Sequence, residues 1–225
     1  MRYLSIDIET TGLNPETDQV LSVGLIIEDT EKKLPFKEIP KLHLAILRDR
    51  ISGSPYAINM NAKLINTINN YQCARTDEER LDITTISRMQ FVKEEDVAEA
   101  IYQFLYINDF RNETSTNFIE QRVKLVNGVL VPVISMKTRP FTVTVAGKNF
   151  GTFDKPFLER LPNWNKLIRI PSRVIDPAVL FVDWANDKSL PNLSQCKVRA
   201  GLSETVTHDA VEDAWDVIEL LRKQY

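Results

Sequence analysis

Length, composition and charge exclude several classes of protein before any motif is considered. With 225 residues, 43% of them hydrophobic and 26% charged, the chain can bury one sizeable core, so wholesale disorder is excluded. A formal net charge of −3 at pH 7 argues against a protein that holds nucleic acid through a broad basic surface. Cys73, Cys196, His43 and His208 are too scattered for a zinc site of cysteine and histidine ligands.

The chain also lacks the sequence marks of a membrane or secreted protein. No apolar stretch approaches the length needed to cross a bilayer, and the first residues lead straight into a strand instead of an apolar signal segment. We therefore expect a soluble, intracellular protein, cytoplasmic in location and without a membrane partner.

The amino-terminal part predicts an antiparallel meander of three strands. Apolar and β-branched residues favour strands over 2–9, 20–29 and 41–47, and "TTGLNPETDQ" between the first two is typical of a turn. Alternation along the first strand places the carboxylates of Asp7 and Glu9 on one face. Two like charges side by side either face solvent on an edge strand or share a neutralising divalent cation.

The middle of the chain is predicted to contain helices and a β-hairpin. Ser54 is a candidate cap and Pro55 a first-turn residue for a helix in "SPYAINMNAKLINTINNY", whereas 75–92 is polar and poorly periodic. A second helix is predicted in "KEEDVAEAIYQFLYINDF", which has acidic residues in its first turn and apolar residues at helical spacing. The "NG" of "QRVKLVNGVLVPVIS" predicts a hairpin at roughly 121–136.

The carboxyl-terminal part alternates predicted strands and helices. "FTVTVAGKN" and "SRVIDPAVLF" favour strands, while "GTFDKPFLERL", "NLSQCKVRAG" and "THDAVEDAWDVIELLRKQY" favour helices, the second of which ends at Gly201. Together with the amino-terminal meander, this order predicts an α/β fold, a mixed five-stranded sheet flanked by helices.

Two further carboxylates follow elements of this carboxyl-terminal part. Asp154 lies in the first turn of a helix just after a predicted buried strand, where the helix dipole alone would favour a negative charge. If Thr207 caps the terminal helix, His208 lies at the N-terminus of that helix and is mobile, whereas Asp213 is fixed one turn further along it. A lone histidine beside a cap is commonly a surface residue, so each of these residues also has an explanation without function.

Three sequence blocks, taken together in this order, resemble those of a known nuclease family. "DIETTGL" carries Asp7 and Glu9, "NFGTFD" carries Asp154, and "HDAVED" carries His208 and Asp213. The blocks are similar to those of the DEDDh-type 3′–5′ exonucleases, which have four acidic residues and a histidine. That family includes the proofreading exonuclease subunit of bacterial replicases and oligoribonuclease.

The resemblance covers 1–47 and 141–225, with helices of the expected sort in between. It departs at Lys148, where many relatives have a histidine, and in the greater length of the segment between the first and second blocks. It implies a ribonuclease H-like fold in a single exonuclease domain over 1–225, with an inserted β-hairpin and helical segment at roughly 48–140.

The same resemblance implies the cofactors and the catalytic residues. Two divalent metal ions, Mg²⁺ or Mn²⁺, would be held by the carboxylates of Asp7, Glu9, Asp154 and Asp213, whose oxygens suit these hard cations. His208 would act as the general base, because an ordinary histidine pKa of about 6.5 suits proton transfer near neutral pH.

The implied substrate is the 3′ end of single-stranded DNA or RNA, hydrolysed to nucleoside 5′-monophosphates. The residues expected to contact the terminal nucleotide lie in the first and second blocks: Thr10, Thr11, Gly12, Leu13, Asn149 and Phe150. Asp176 is interpreted as a capping or supporting residue. The choice between DNA and RNA stays open, because recognition of the 2′-hydroxyl depends on few contacts.

Two other functions stay open on the sequence. A chain that keeps this fold only as a nucleic-acid or partner-binding module would release no mononucleotides, whereas an endonuclease of the ribonuclease H type would act on strands with blocked 3′ ends. A polymerase partner and a homodimer are also left open, since the segment at 48–140 has room for a strand, a partner or a second copy.

Overall fold

A mixed five-stranded sheet lies at the centre of the computed structural model, which describes residues 1–110, 118–126, 129–137 and 140–225. The described strands are β1 (Arg2–Thr10), β2 (Val20–Asp29), β3 (Lys41–Leu47), β4 (Gln90–Lys93), β5 (Phe118–Val126), β6 (Val129–Lys137), β7 (Phe141–Thr142), β8 (Val145–Ala146) and β9 (Ile168–Arg169). The central sheet has the order β4-β3-β2-β1-β8, in which β1, β2 and β3 are antiparallel and the two outer strands run parallel to their neighbours. This confirms the predicted α/β fold with a mixed five-stranded sheet.

The outer part of the sheet differs from the sequence prediction. β4 begins in the polar, poorly periodic stretch at 75–92, for which no element was predicted, and it pairs in parallel with β3. The strand predicted in "SRVIDPAVLF" is reduced to one bridge between Ala146 and Ile175, followed by a 3₁₀ helix at Pro177–Leu180. Extended pairing ends because the Asp176 side chain caps this turn, accepting from Ala178 N at 2.8 Å, and the proline that follows has no amide hydrogen to donate.

The remaining strands form two small two-stranded sheets. The strand predicted in "FTVTVAGKN" is divided, so that β7 pairs in parallel with β9 while β8 joins the central sheet. β5 and β6 pair as an antiparallel hairpin in which Val126 lies opposite Val129. The strands of the predicted hairpin are therefore present, whereas its predicted turn at Asn127 and Gly128 lies outside the described residues.

Helices pack on both faces of the central sheet. The described α-helices are α1 (Pro55–Met60), α2 (Ala62–Cys73), α3 (Asp77–Ser87), α4 (Val97–Ile107), α5 (Asp154–Leu158), α6 (Trp164–Leu167), α7 (Leu193–Arg199) and α8 (Ala210–Leu221). As predicted, Ser54 caps α1 by accepting from Ala57 N at 3.2 Å, and Gly201 with a φ of 72° follows the end of α7. α3 lies in the stretch for which no element was predicted. No helix in the described ranges is long and apolar enough to span a bilayer.

Alternation along β1 divides its side chains between two cores. Leu4, Ile6 and Ile8 lie in the larger core, together with buried residues of α4. On the opposite face, Tyr3 packs in a second core with buried residues of α8, and Ser5 Oγ donates to a carbonyl of that helix at 2.8 Å. The face covered by α8 is therefore the one to which the two carboxylates of β1 belong.

Candidate active site

Two carboxylates of β1 point to the face of the sheet on which α8 packs. The strand register places Asp7 opposite Gly24 of β2 and Glu9 opposite Ser22, so these four positions share one face. Glu9 is 5% exposed and Asp7 is half-buried. Both carboxylates lie on one face as expected from alternation, and the rest of the fold largely covers that face.

Helix α8 comes unusually close to the sheet at Gly24. A Cβ atom on Gly24 would lie 2.2 Å from the backbone carbon of Ala210 and 2.3 Å from its oxygen, so a larger residue does not fit there without a shift of the helix. This contact sets the first turn of α8 directly against β2. Asp213 lies in that turn, and its charge accordingly acts on Asp7.

The start of α8 differs from the prediction. Asp209, not Thr207, caps the helix, because its Oδ1 accepts from Val211 N at 3.0 Å and from Glu212 N at 3.2 Å. Aspartate is the stronger cap of the two, which explains the shift by two residues. His208 therefore lies just outside the cap, in a left-handed conformation with a φ of 52°, and its side chain is exposed.

Asp154 also lies beside the carboxylates of β1, next to the edge of β1 that pairs with β8. It is the first residue of α5, which follows the β8 strand beside β1, and it is 2% exposed. Its Oδ1 accepts a hydrogen bond at 3.1 Å from the backbone N of Ile8, which lies between the two carboxylates of β1. The charges of Glu9, Asp154 and Asp213 all act on Asp7, and these four residues are here called the carboxylate cluster.

His208 lies at the edge of the carboxylate cluster. One ligand atom from each of Glu9, His208 and Asp213 lies within 4.8 Å of the others. Asp213 is 6% exposed, and its Oδ1 has no hydrogen-bond partner among the residues that the structure describes. The exposed ring of His208 can approach or leave these two buried carboxylates without rearrangement of the core.

Burial raises the pKa of every carboxylate in the cluster. It raises the pKa of Glu9 to about 7, that of Asp213 to about 7 and that of Asp154 to about 8. The pKa of Asp7 is raised well above its ordinary value, first by burial and then by the charges of the other three. None of the ion pairs within the described ranges includes a member of the cluster. Ionising all four carboxyl groups together is therefore unfavourable unless a cation is bound beside them.

The cluster has the chemistry of a site for hard divalent cations. Carboxylate oxygens are the ligands that Mg²⁺ and Mn²⁺ prefer, and the Oδ1 of Asp213 has no competing partner in the described part of the chain. A positive ion would also offset the penalty that burial and mutual repulsion impose on these groups. The residues present therefore fit the metal cofactor expected from the sequence.

The last residue of β1 and the turn that follows it contain four residues predicted to contact substrate. Thr11 is fully buried, and its Oγ1 accepts from Gln19 N at 2.9 Å. The Thr10 hydroxyl donates to the carbonyl of Gly12 at 2.7 Å, so both threonine side chains hold the turn itself. Leu13 is 84% exposed, which leaves its side chain available to a ligand.

The second block divides its predicted substrate residues between surface and core. Asn149 is exposed with a φ of 59°, and its backbone N donates to Asp176 Oδ2 at 2.9 Å. Phe150 is fully buried in the larger core, so the predicted contact of its ring with substrate is not supported by its position. Asp176 is a cap, as interpreted from the sequence, and it also fixes the backbone that leads to Asp154.

Two residues of the site were missed by the sequence analysis. Asn61, between α1 and α2, donates to the carbonyl of Thr10 at 3.1 Å and hydrogen-bonds the side chain of Glu9. His43 lies on β3 on the α8 face, with its Nδ1 3.9 Å from Asp209 Oδ1, and burial lowers its pKa. Alternation along β3 is the signal that would have found His43, but it becomes informative only when the register between β2 and β3 is known.

The fold has counterparts among solved structures. No family model and no curated protein matches the chain. The chain is similar to E. coli Exonuclease I in complex with a 5cy-dT13 oligonucleotide, with a TM-score of 0.53 and 14% identity over 98% of this chain. It is also similar to E. coli Exonuclease I in complex with a dT13 oligonucleotide, with a TM-score of 0.52 and 15% identity over 99% of this chain. The chain spans 40% of the length of both structures, and at this identity the likeness shows the fold.

Proposed function

We propose that this chain is a divalent-metal-dependent 3′–5′ exonuclease that releases nucleoside 5′-monophosphates from single-stranded DNA. The observation that carries the proposal is the convergence of three distant parts of the sequence on one buried cluster beside an exposed histidine. The likeness in fold to Exonuclease I, whose structures hold dT13 oligonucleotides, supports single-stranded DNA as the substrate.

The carboxylate cluster would hold two divalent ions, Mg²⁺ or Mn²⁺. Asp7 would be the ligand common to the whole site, as the resemblance of the three sequence blocks implies, and the other three carboxylates of the cluster all lie near enough to act on its charge. Glu9 and Asp213 would complete one site, and Asp154 would hold the second ion. Ions held there would supply positive charge to the scissile phosphate and lower the pKa of an attacking water.

His208 is proposed as the general base. A ring nitrogen of His208 lies within 4.8 Å of ligand atoms of both Glu9 and Asp213. A neutral imidazole there can accept a proton from a water that lies next to these two carboxylates. Because the ring is exposed just outside the cap of α8, an arriving strand can set its final position.

The 3′-terminal nucleotide is proposed to lie against the turn after β1. Leu13, 84% exposed, would provide an apolar contact for the base. The hydroxyl groups of Thr10 and Thr11 stabilise the turn, whose backbone then faces the nucleotide. Asn149 would hydrogen-bond near the scissile phosphate, while Phe150 supports its loop from the core.

Nucleotide release from labelled oligomers tests the proposal. The purified chain is incubated with single-stranded DNA or RNA of equal sequence, labelled at either end, with Mg²⁺ or Mn²⁺. We expect mononucleotides from the 3′ end of the DNA and none in excess chelator. Asp7→Asn should abolish turnover, whereas Asp82→Asn, on an exposed position of α3 outside the cluster, should keep the wild-type rate.

Several outcomes would contradict this function. Cleavage inside an oligomer with a blocked 3′ end would identify an endonuclease, and binding without release would identify a binding module. Faster release of mononucleotides from RNA than from DNA would identify RNA as the substrate. If Asp7→Asn bound Mn²⁺ in calorimetry as tightly as the wild type, the assignment of the cluster as the metal site would be wrong.

A further inference from the structure

The turn after β1, proposed to lie against the terminal nucleotide, is closed by the residue that precedes β2. That residue is Gln19, whose backbone continues the pairing of the two strands, because Thr11 N donates to Gln19 O at 2.9 Å. Gln19 N in turn donates to Thr11 Oγ1 at 2.9 Å. The backbone of Gln19 is therefore fixed to the turn on both sides of its peptide unit.

The side chain of Gln19 joins this turn to a second stretch of chain, the loop at 50–54 that precedes α1. Its Oε1 accepts from Ser52 N at 3.0 Å, and its Nε2 donates to Arg50 O at 3.2 Å. A side-chain amide carries both a donor and an acceptor, so it can pair with a backbone as a neighbouring strand does. Gln19 thus holds the loop and the turn together through a single side chain.

The loop also contacts the turn directly. Ser54 N donates to Thr11 O at 2.8 Å. A Cβ atom on Gly53 would lie 2.2 Å from Thr11 O and 2.3 Å from Thr11 Cβ, so a larger residue does not fit there without a shift of the loop or the turn. Because the two stretches pack so closely, the position of one determines the position of the other.

Helix α1 extends this arrangement to the end of β1. Ser54 caps the start of the helix, and Asn61, which follows its last residue, donates to Thr10 O at 3.1 Å. The loop and α1 are thereby attached at both ends to the backbone at 10 and 11. The surface proposed for the terminal nucleotide is thus built on two stretches that are distant in sequence.

We propose that Gln19 is a positioning residue for the terminal nucleotide, because it sets the turn after β1 against the loop at 50–54. The inference rests on the proposed function, since it takes this turn to contact the nucleotide. Leu13 is 84% exposed, so the place of its side chain depends on the backbone of the turn. None of the hydrogen bonds that the structure describes for Gln19 reaches the carboxylate cluster. Gln19 therefore acts on binding of the strand and not on the chemical step.

Steady-state release of mononucleotides from a labelled single-stranded DNA oligomer, with Mg²⁺ present, tests the proposal. Gln19→Ala should raise KM about tenfold and keep kcat within about twofold of the wild type, because a displaced turn weakens binding equally before and in the transition state. Gln19→Glu has nearly the same shape but no donor for Arg50 O, so it should raise KM too. The affinity for Mn²⁺, measured by calorimetry, should stay at the wild-type value in both variants.

Gln72→Ala is the matched control. Gln72 Nε2 on α2 donates to Arg48 O at 3.1 Å, so this variant removes the same kind of hydrogen bond just before the loop, and that bond does not involve the turn. Its KM and kcat should both equal those of the wild type. Gly53→Ala, which forces the loop and the turn apart while Gln19 is intact, should raise KM as Gln19→Ala does.

Hydrogen exchange followed by mass spectrometry measures the attachment without substrate. Amides at 11–14 and 50–54 should exchange faster in Gln19→Ala than in the wild type, and Gln72→Ala should leave them unchanged. Equal exchange in Gln19→Ala and the wild type would overturn the proposal.

Two kinetic results would also overturn it. One is a KM of the Gln19 variants no higher than that of Gln72→Ala, and the other is a fall in kcat with unchanged KM, which would place the effect at the carboxylate cluster. If the wild type releases no mononucleotides although exchange differs as expected, the proposed function fails while Gln19 still joins the loop to the turn. The two failures are therefore distinguishable.

Discussion

Burial of Glu9, Asp154 and Asp213 makes the stability of the chain depend on pH. The pKa values are about 7, about 8 and about 7, against ordinary values of 4.5, 3.8 and 3.8. Between the ordinary and the raised values, the native chain binds more protons than the unfolded chain. The stability conferred by these protons is fully present below the ordinary pKa values and is lost as pH rises through the raised ones. A divalent ion bound at the cluster, as proposed, would replace those protons, so its stabilising effect would grow with pH.

In chelator, the melting temperature is expected to fall between about pH 5 and about pH 8. Asp154→Asn keeps the acceptor for Ile8 N but removes one ionisable group, so its melting temperature should fall less. Mg²⁺ should raise the wild-type melting temperature more at the higher pH. Thermal melts followed by circular dichroism measure these effects, and Glu78→Gln on the exposed side of α3 is the control. A melting temperature that rises across this range would contradict the prediction.

Gly24 is the other single residue on which the site depends. Gly24→Ala should destabilise the chain by about 1–3 kcal/mol, the usual effect of overpacking, because its Cβ would meet the backbone of Ala210. It should also lower kcat by about tenfold or more, because the displaced helix carries Asp213. Denaturant melts and nucleotide release measure both effects. Gly151→Ala is the control, since its Cβ would meet only Val174 Cγ2, at 3.4 Å.

At the scale of elements, one buried lysine joins α7, α8 and the loop that carries His208. Lys197 of α7 donates to Asp216 Oδ2 of α8 at 2.5 Å and to the carbonyl of Thr205 at 2.5 Å. Asp216 lies one turn after Asp213 on the same helix, and the loop with Thr205 leads directly to His208. A single side chain thus fixes the loop relative to the helix.

Variants of Lys197 separate its effect on stability from its effect on the loop. Lys197→Met should destabilise the chain by about 3–5 kcal/mol, because Asp216 stays buried without its cation. Combining it with Asp216→Leu should restore much of the stability but not kcat, because the carbonyl of Thr205 still lacks the hydrogen bond from Lys197. Lys197→Arg should recover part of the activity. Stability and nucleotide release are measured for each variant, and a double variant with wild-type kcat would exclude the role of Lys197 in positioning the loop.

The elements also show how far sequence reasoning reaches. Helices α4 and α8 bury a continuous apolar face, so their periodicity identifies them. Helix α3 buries none of its residues and therefore gives no such pattern, although the reciprocal cap between Thr76 and Glu79 was present in the sequence as its start. The short β4 depends on pairing with β3, which sequence patterns do not encode. Local signals were thus sufficient only where an element packs along its whole length.

The residues of the candidate site likewise divide into those that a local sequence motif identifies and those that depend on tertiary contacts. Asp7, Glu9 and Asp154 stand in short motifs whose residue types and spacing are informative in themselves. Asn61 and His43 stand in no motif, and their relation to the cluster follows from a turn contact and from strand register. Residues defined by three-dimensional neighbours were therefore missed.

At the scale of the whole molecule, the charge balance limits how a nucleic-acid strand can be bound. The chain has 28 lysine and arginine residues against 31 aspartate and glutamate residues, so few positive charges remain for phosphates away from the cluster. We expect affinity to depend on contacts at the 3′ end of the strand. Long and short oligomers should then bind with similar strength.

The dependence of KM on salt measures this limit. At fixed Mg²⁺, the slope of log KM against log KCl concentration should stay below about 2, because each phosphate contact to a single strand contributes about 0.7. Steady-state rates on a labelled DNA oligomer over a range of KCl concentrations give the slope. A slope of about 5 or more would instead indicate a long basic track and would contradict the prediction.

The packing of α8 against Gly24 also determines when the site residues come together during protein synthesis. During synthesis Asp7 and Glu9 leave the ribosome first, whereas His208 and Asp213 can join them only after α8 has docked on the sheet. A nascent chain therefore carries an incomplete centre. On the proposed function, the chain has no complete catalytic centre, and therefore no activity, until α8 has emerged and docked on the sheet.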